Sequence, residues 1–143
     1  MLVSTKGRYA LRVMIDLAEH QGDNYVPLKE IAGRQNISEK YLEAILKVLV
    51  REHMLTGLRG KGGGYRLSKA PEQYTVGSII RLTEGGLTSV ACLETPENQC
   101  PRAASCRTLP MWREFDKVVN SFLDSYTIRD LMAGTEAGND YVI

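Results

Sequence analysis

Four glycines in five residues, Gly60-Lys61-Gly62-Gly63-Gly64, constrain this 143-residue chain more than any other segment. Glycine takes up positive φ without steric cost, so such a run makes either a tight turn or a cradle for phosphate. The flanks decide between the two. Met54 to Arg59 and Tyr65 to Leu67 both read as short strands, whereas a nucleotide-binding loop follows a strand and opens a helix. The segment is therefore predicted to be a β-hairpin.

Three helical patterns precede it. Residues 5–20 place Tyr9, Val13, Met14, Leu17 and Ala18 at spacings of three and four, one face of a helix. Ser4 or Thr5 caps its start, and Gly22 lies just past its end. A second, short helix is predicted at 28–34, with Leu28, Ile31 and Ala32 inward and Pro27 near its first position. Gly33 to Asn36 make a tight break. Ser38 then caps a third helix to about Glu52, with an apolar stripe of Leu42, Ile45, Leu46 and Leu49. Its other face carries Lys40, Glu43, Ala44, Lys47 and Arg51.

Two short helices across a tight turn, the second with a polar outer face, read as helix-turn-helix, although any small three-helix bundle shares the pattern. A hairpin directly after them reads as a wing. Arg59 and Lys61 sit near its tip, where a long cation reaches a minor groove. The predicted fold class is mainly α with a small β-hairpin wing: a winged helix-turn-helix over residues 1–84.

Charge divides along the same line. Residues 1–69 hold twelve Lys/Arg against seven Asp/Glu, a balance of +5, and residues 70–143 hold six against ten, a balance of −4. A basic first half suits phosphate; an acidic second half does not. No apolar run approaches the ~20 residues of a membrane span. Met1-Leu2-Val3-Ser4-Thr5-Lys6 shows no apolar signal core, so a cytoplasmic location is expected. No acid/base pair or Ser/His/Asp grouping marks an enzyme, and His20 and His53 read as ordinary helix-end residues.

Beyond the wing, a helix is predicted at 75–84, ended by Gly85-Gly86. Residues 85–107 form a long loop without period. A helix follows from Leu109 to about Leu123, with Trp112, Phe115, Val119 and Phe122 on one side and Pro110 in its first turn. Thr127 caps a short helix at 128–132, and 134–143 form a polar, acidic tail. The loop holds all three cysteines, Cys92, Cys100 and Cys106, spaced C-x7-C-x5-C. An odd number argues against a disulfide framework. Thiolates are the usual donors to iron–sulfur clusters, and the absence of a C-x2-C pair argues against zinc. Reduced thiols open to oxidation are the other reading.

Ser4-Thr5-Lys6-Gly7-Arg8-Tyr9-Ala10-Leu11, Ile37-Ser38-Glu39-Lys40-Tyr41-Leu42-Glu43 and Arg59-Gly60-Lys61-Gly62-Gly63-Gly64-Tyr65 together resemble the Rrf2 family of bacterial winged-helix regulators. The resemblance spans residues 2 to 133. It implies a homodimer on double-stranded DNA, paired through the Leu109–Leu123 helix over residues 108–133 and reading two half-sites about one helical turn apart. It implies DNA contacts from Ser38, Lys40, Tyr41, Glu43 and Ala44 on the recognition helix; Lys47, on the same polar face, reads as a phosphate contact, beside Arg59 and Lys61 on the wing. It further implies an iron–sulfur cluster, [2Fe–2S] or else [4Fe–4S], on Cys92, Cys100 and Cys106, and a repressor of iron–sulfur-assembly or sulfur-metabolism genes. A cluster-free branch of the family senses through thiols or a partner protein. Three positions depart from the pattern. Ala44 stands where the iron–sulfur branch carries an adenine-reading glutamine. Leu109 stands where that branch carries a ligand histidine, and Arg8 where a nitric-oxide-sensing relative carries a ligand aspartate.

Overall fold

A computed structural model describes residues 2–134; the tail beyond Gly134 lies outside the described residues. The elements run in the order α1 (Thr5–His20), α2 (Leu28–Gln35), α3 (Glu39–Arg51), β1 (Leu55–Leu58), β2 (Gly64–Leu67), α4 (Val76–Glu84), α5 (Leu109–Asp124) and α6 (Ile128–Leu131). Single 3₁₀ turns at Pro71–Gln73 and Ala91–Leu93 interrupt the connections. The expected winged helix-turn-helix is present: mainly helical, with one antiparallel hairpin.

Local chemistry fixes the helix starts. Ser4 accepts from the Gly7 amide, Ser38 from Tyr41 and Thr75 from Ser78. Each such cap satisfies one amide of the open first turn, a contribution of about 1 kcal/mol. Thr127 and Asp130 cap α6 reciprocally. Pro27 stands next to the first position of α2, as expected, as the residue preceding the helix. Gly33 does not break the chain. α2 continues through it to Gln35, and the reversal falls on Asn36, in the left-handed region at φ 53°. Asparagine tolerates that conformation better than most side chains.

The hairpin pairs Leu55 with Leu67 and Leu58 with Gly64. β1 is shorter than the predicted 54–59. Met54 is drawn to the end of α3 by the hydrogen bond that its amide donates to the Leu49 carbonyl, and the reversal begins beyond Leu58. Val26, just before α2, exchanges two 2.8 Å backbone hydrogen bonds with Tyr65 and adds a third rung. Gly64 makes this possible. At φ 148° it lies so close to Val26 that a Cβ would overlap the Val26 carbonyl.

One main core joins the inner faces of α1 (Ala10, Val13, Met14, Leu17), α2 (Ile31) and α3 (Leu42, Ile45, Leu46, Leu49) to Leu55, Leu67, Ile79 and Ile128. Burying each large aliphatic side chain stabilises the fold by roughly 1.5–3 kcal/mol. Tyr74, also fully buried, donates its hydroxyl to the Met54 carbonyl at 2.7 Å and accepts from the Lys69 amide, latching the base of the hairpin. A smaller cluster of Val76, Ile80 and Leu87 packs against Leu123 and Tyr126.

Candidate functional site

All eight nucleic-acid contacts expected from the sequence are exposed. Ser38 stands at the start of α3, and Lys40, Tyr41, Glu43, Ala44 and Lys47 lie along its outer side. The buried stripe Leu42, Ile45, Leu46 and Leu49 forces them outward, because 3.6 residues per turn leaves the alternate positions on the other face. The Gly63 amide closes the hairpin onto the Gly60 carbonyl at 3.0 Å, which puts Lys61 in the turn and Arg59 at its entrance.

Between α3 and the hairpin runs a cleft of about 560 Å³. Lys47, Arg51 and Arg59 line it against one carboxylate, Glu43, over a floor that includes Val50 and Leu58. Periodicity puts Arg51 on the outer face of α3, and the position of the hairpin brings it into this cleft. A second, shallower pocket of about 350 Å³ joins the starts of α1 and α3 through Thr5, Tyr9, Ser38 and Tyr41.

Behind this surface lies the feature that sequence reasoning missed. Asp16, on α1, is the one buried charged residue among those described, at 1% exposure. Arg34 grips it with two hydrogen bonds of 2.9 and 2.8 Å, and Gln35 donates a third at 2.9 Å. Burial pushes the carboxyl pKa up. The Arg34 and Gln35 hydrogen bonds, with the charges of Arg34 and His20, outweigh it and hold the group below its ordinary value. Asp16 follows the apolar stripe of α1 by position alone, so a single sequence gives no sign of its partner.

The three cysteines are half-buried and carry free thiols. Cys92 sits on the Ala91–Leu93 turn, the Cys100 amide donates to Asn98 Oδ1 at 2.9 Å, and the Cys106 thiol lies 3.4 Å from Thr108 Oγ1. The Thr108 hydroxyl, with the Thr108 and Leu109 amides, holds the Cys106 thiol below its ordinary pKa. Thiols of this kind suit a cluster in donor chemistry. Yet among the described residues no three Cys, His, Asp or Glu side chains are gathered to hold a metal ion. Leu109 is buried and apolar, and the Arg8 guanidinium faces Thr5, so neither supplies a fourth donor. Two buried polar atoms of this loop, Ser89 Oγ and Asn98 Nδ2, have no hydrogen-bond partner among the described residues.

The loop is tied to α5 at its root: the Ser89 amide donates to Asp116 at 2.8 Å and Asn120 donates to the Leu87 carbonyl at 3.2 Å. α5 presents an apolar stripe different from the predicted one. Trp112 and Val119 turn partly inward, while Met111, Phe115, Val118 and Phe122 are 54, 44, 59 and 55% exposed. Their spacing, i, i+4, i+7 and i+11, makes one continuous face. No helix among the described residues is long and apolar enough to cross a membrane.

Comparison with known proteins agrees with this architecture. A family model described as Rrf2, an iron-dependent transcriptional regulator, matches residues 3–134. The transcriptional regulator IscR of Aliivibrio salmonicida is 35% identical over 136 residues, covering 95% of this chain and 80% of the relative. Among solved structures, CymR, the global cysteine regulator of B. subtilis, superposes with a TM-score of 0.75 at 38% identity, covering 94% of this chain and 98% of that one. T. potens IscR gives 0.72 at 37%, covering 92% and 85%. With its winged helix-turn-helix in place and nearly its whole length matched, the chain belongs to the Rrf2 family of transcriptional regulators.

Proposed function

We propose that the chain acts in the cytoplasm as a homodimeric, sequence-specific DNA-binding repressor whose DNA binding depends on an iron–sulfur cluster held by Cys92, Cys100 and Cys106. The observation that carries the DNA half is the cationic cleft between α3 and the hairpin, with three cations to one carboxylate. An element in the major groove and a wing in the neighbouring minor groove straddle one sugar–phosphate strand, and such a strand needs cations between them. Lys40 and Lys47 are assigned to phosphates. The Lys47–Glu43 pair spans 4.0 Å with both side chains more than half exposed, so it yields cheaply to DNA. Glu43 accepts from a cytosine amino group and Ala44 meets a thymine methyl. Ser38 Oγ accepts from the Tyr41 amide and keeps its proton to give to a phosphate. Tyr41 contacts the backbone beside it. Arg59 and Lys61 reach the minor groove.

The exposed stripe of α5 supports the dimer. Four large apolar side chains on one face form the kind of patch a second copy covers. The cluster half is supported by the iron dependence in the family's description, by three thiols on one loop, and by two orphaned polar atoms on the same loop. A [2Fe–2S] cluster is favoured over [4Fe–4S]. Its fourth donor is Glu94, Glu97, a group of the partner subunit or a small molecule. The cluster would supply a signal-dependent charge and shape; Asp116 and Asn120 would carry the loop's position to α5. Genes of iron–sulfur assembly or sulfur metabolism are the proposed targets.

A second reading, a cluster-free regulator sensing through thiols or a partner protein, is favoured by the ungathered thiols and by the likeness to a cysteine regulator. One experiment separates the two. Protein purified without oxygen is assayed for iron, sulfide and visible absorption. It is then tested by gel shift, with and without chelation, on a duplex that it enriches from a random-sequence pool. Iron, sulfide and a chelation-sensitive shift support the cluster. A shift with no iron supports the second reading, and no shift on any duplex overturns both.

A further inference from the structure

Tyr41 is 39% exposed on the DNA-facing side of α3, yet its ring is not loose. It packs edge-to-face on Tyr9 of α1, centroids 5.8 Å apart at 87°. The Arg12 guanidinium in turn lies 4.9 Å from the Tyr9 centroid. The same guanidinium donates through Nε to Gln35 Oε1 at 3.1 Å and through Nη2 to the Gln35 carbonyl. That carbonyl belongs to the last residue of α2, where no intrahelical donor remains and a cation is favoured. From the other side, Gln35 Nε2 donates to buried Asp16, which Arg34 also holds. Gln35 is therefore fixed by both residues immediately before the left-handed Asn36 turns the chain into α3.

We propose that Arg12 is a positioning residue of the DNA-reading face: it fixes Tyr41 through Tyr9 and the α2–α3 turn through Gln35, without itself touching DNA. The proposal rests on the DNA-binding reading above. Arg12 is exposed, so its role on stability is small compared with its role on geometry. The rival explanation for any effect is a direct phosphate contact, and the two differ in what lysine does. Lysine keeps the charge that a phosphate needs, but lacks the planar fork that engages two Gln35 acceptors while lying over a ring.

The test measures affinity of wild type, R12A and R12K for one duplex enriched by the wild-type chain from a random pool, across a salt series well below the melting temperature. R12A and R12K are both expected to bind about tenfold more weakly, the scale of coupling between contacting residues. Their slope of log K against log salt should match wild type. The proposal is overturned if R12K restores affinity, if R12A lowers the salt slope by about one, the mark of a lost phosphate contact, or if R12A binds normally. A wild-type chain that enriches no duplex overturns the DNA-binding reading itself, a distinct result.

Discussion

Arg34→Met tests the anchor beneath the reading surface. It removes both guanidinium bonds to Asp16 and strands a carboxylate whose side chain is fully buried. Breaking a buried pair from one side typically costs ~3–5 kcal/mol. Here Gln35 still donates one bond, and the Arg34 side chain is 32% exposed, so water can enter where it leaves. Both effects place the loss at the low end, about 3 kcal/mol. Asp16→Asn keeps the shape and frees Arg34 to turn to solvent, at about 1.5 kcal/mol. The double variant removes the orphaned charge and should cost about 2.5 kcal/mol, well short of the sum of the single losses, a coupling of about 2 kcal/mol. Urea unfolding at one fixed protein concentration reads these values, since an oligomer's midpoint moves with concentration. The pH dependence has a definite sign. The folded-state pKa of Asp16 is depressed below its ordinary 3.8. Its contribution is therefore complete above that value and is lost as pH falls through the lower folded pKa. Asp16→Asn should lack this acid-side loss. Arg34→Met within 1 kcal/mol of wild type, or a strictly additive double variant, refutes the argument.

Three further outcomes are expected. Val118→Glu, on the most exposed residue of the α5 stripe, should convert a dimer to a 15.9 kDa monomer in sedimentation; a dimer that survives the charge places the interface elsewhere. Gly64→Ala should lower stability by several kcal/mol, because the new methyl meets the Val26 backbone and the φ disfavours it; a melting point within a few degrees of wild type counts against the close approach. Cys100→Ser should reduce iron bound per chain in protein kept from oxygen, with far-UV circular dichroism unchanged; undiminished iron removes Cys100 from the ligand set.

The parts of this structure set by neighbouring residues were legible in the sequence. Ser38 and Thr127 announce their helices because a cap is a contact across three residues, and Gly60 to Gly64 announce a reversal because positive φ is a property of single residues. The inward stripe of α3 follows from period alone, and with it the outward set from Lys40 to Lys47. Contacts between distant segments were not legible. Asp16 meets Arg34 eighteen residues away, and Arg12 meets Gln35 twenty-three away; neither pairing leaves a local pattern. The face of α5 is only half legible for the same reason: Phe115 and Phe122 lie on the exposed stripe, Trp112 and Val119 do not. Period alone groups Trp112 with Phe115, and only the packing of α5 against the rest of the chain decides which of them turns inward. The cysteines gave a spacing, which limits reach without fixing approach.

Hydroxyl-radical footprinting on the enriched duplex, with wild type beside Arg59→Ala, tests the central claim most directly: that α3 and the wing read DNA as a symmetric pair. The expected result is a two-fold symmetric footprint centred on two major grooves about one turn, ~34 Å, apart. Flanking minor-groove protection should vanish in Arg59→Ala, with about 1–3 kcal/mol of affinity lost. Featureless protection, or a footprint that Arg59→Ala leaves intact, contradicts the account.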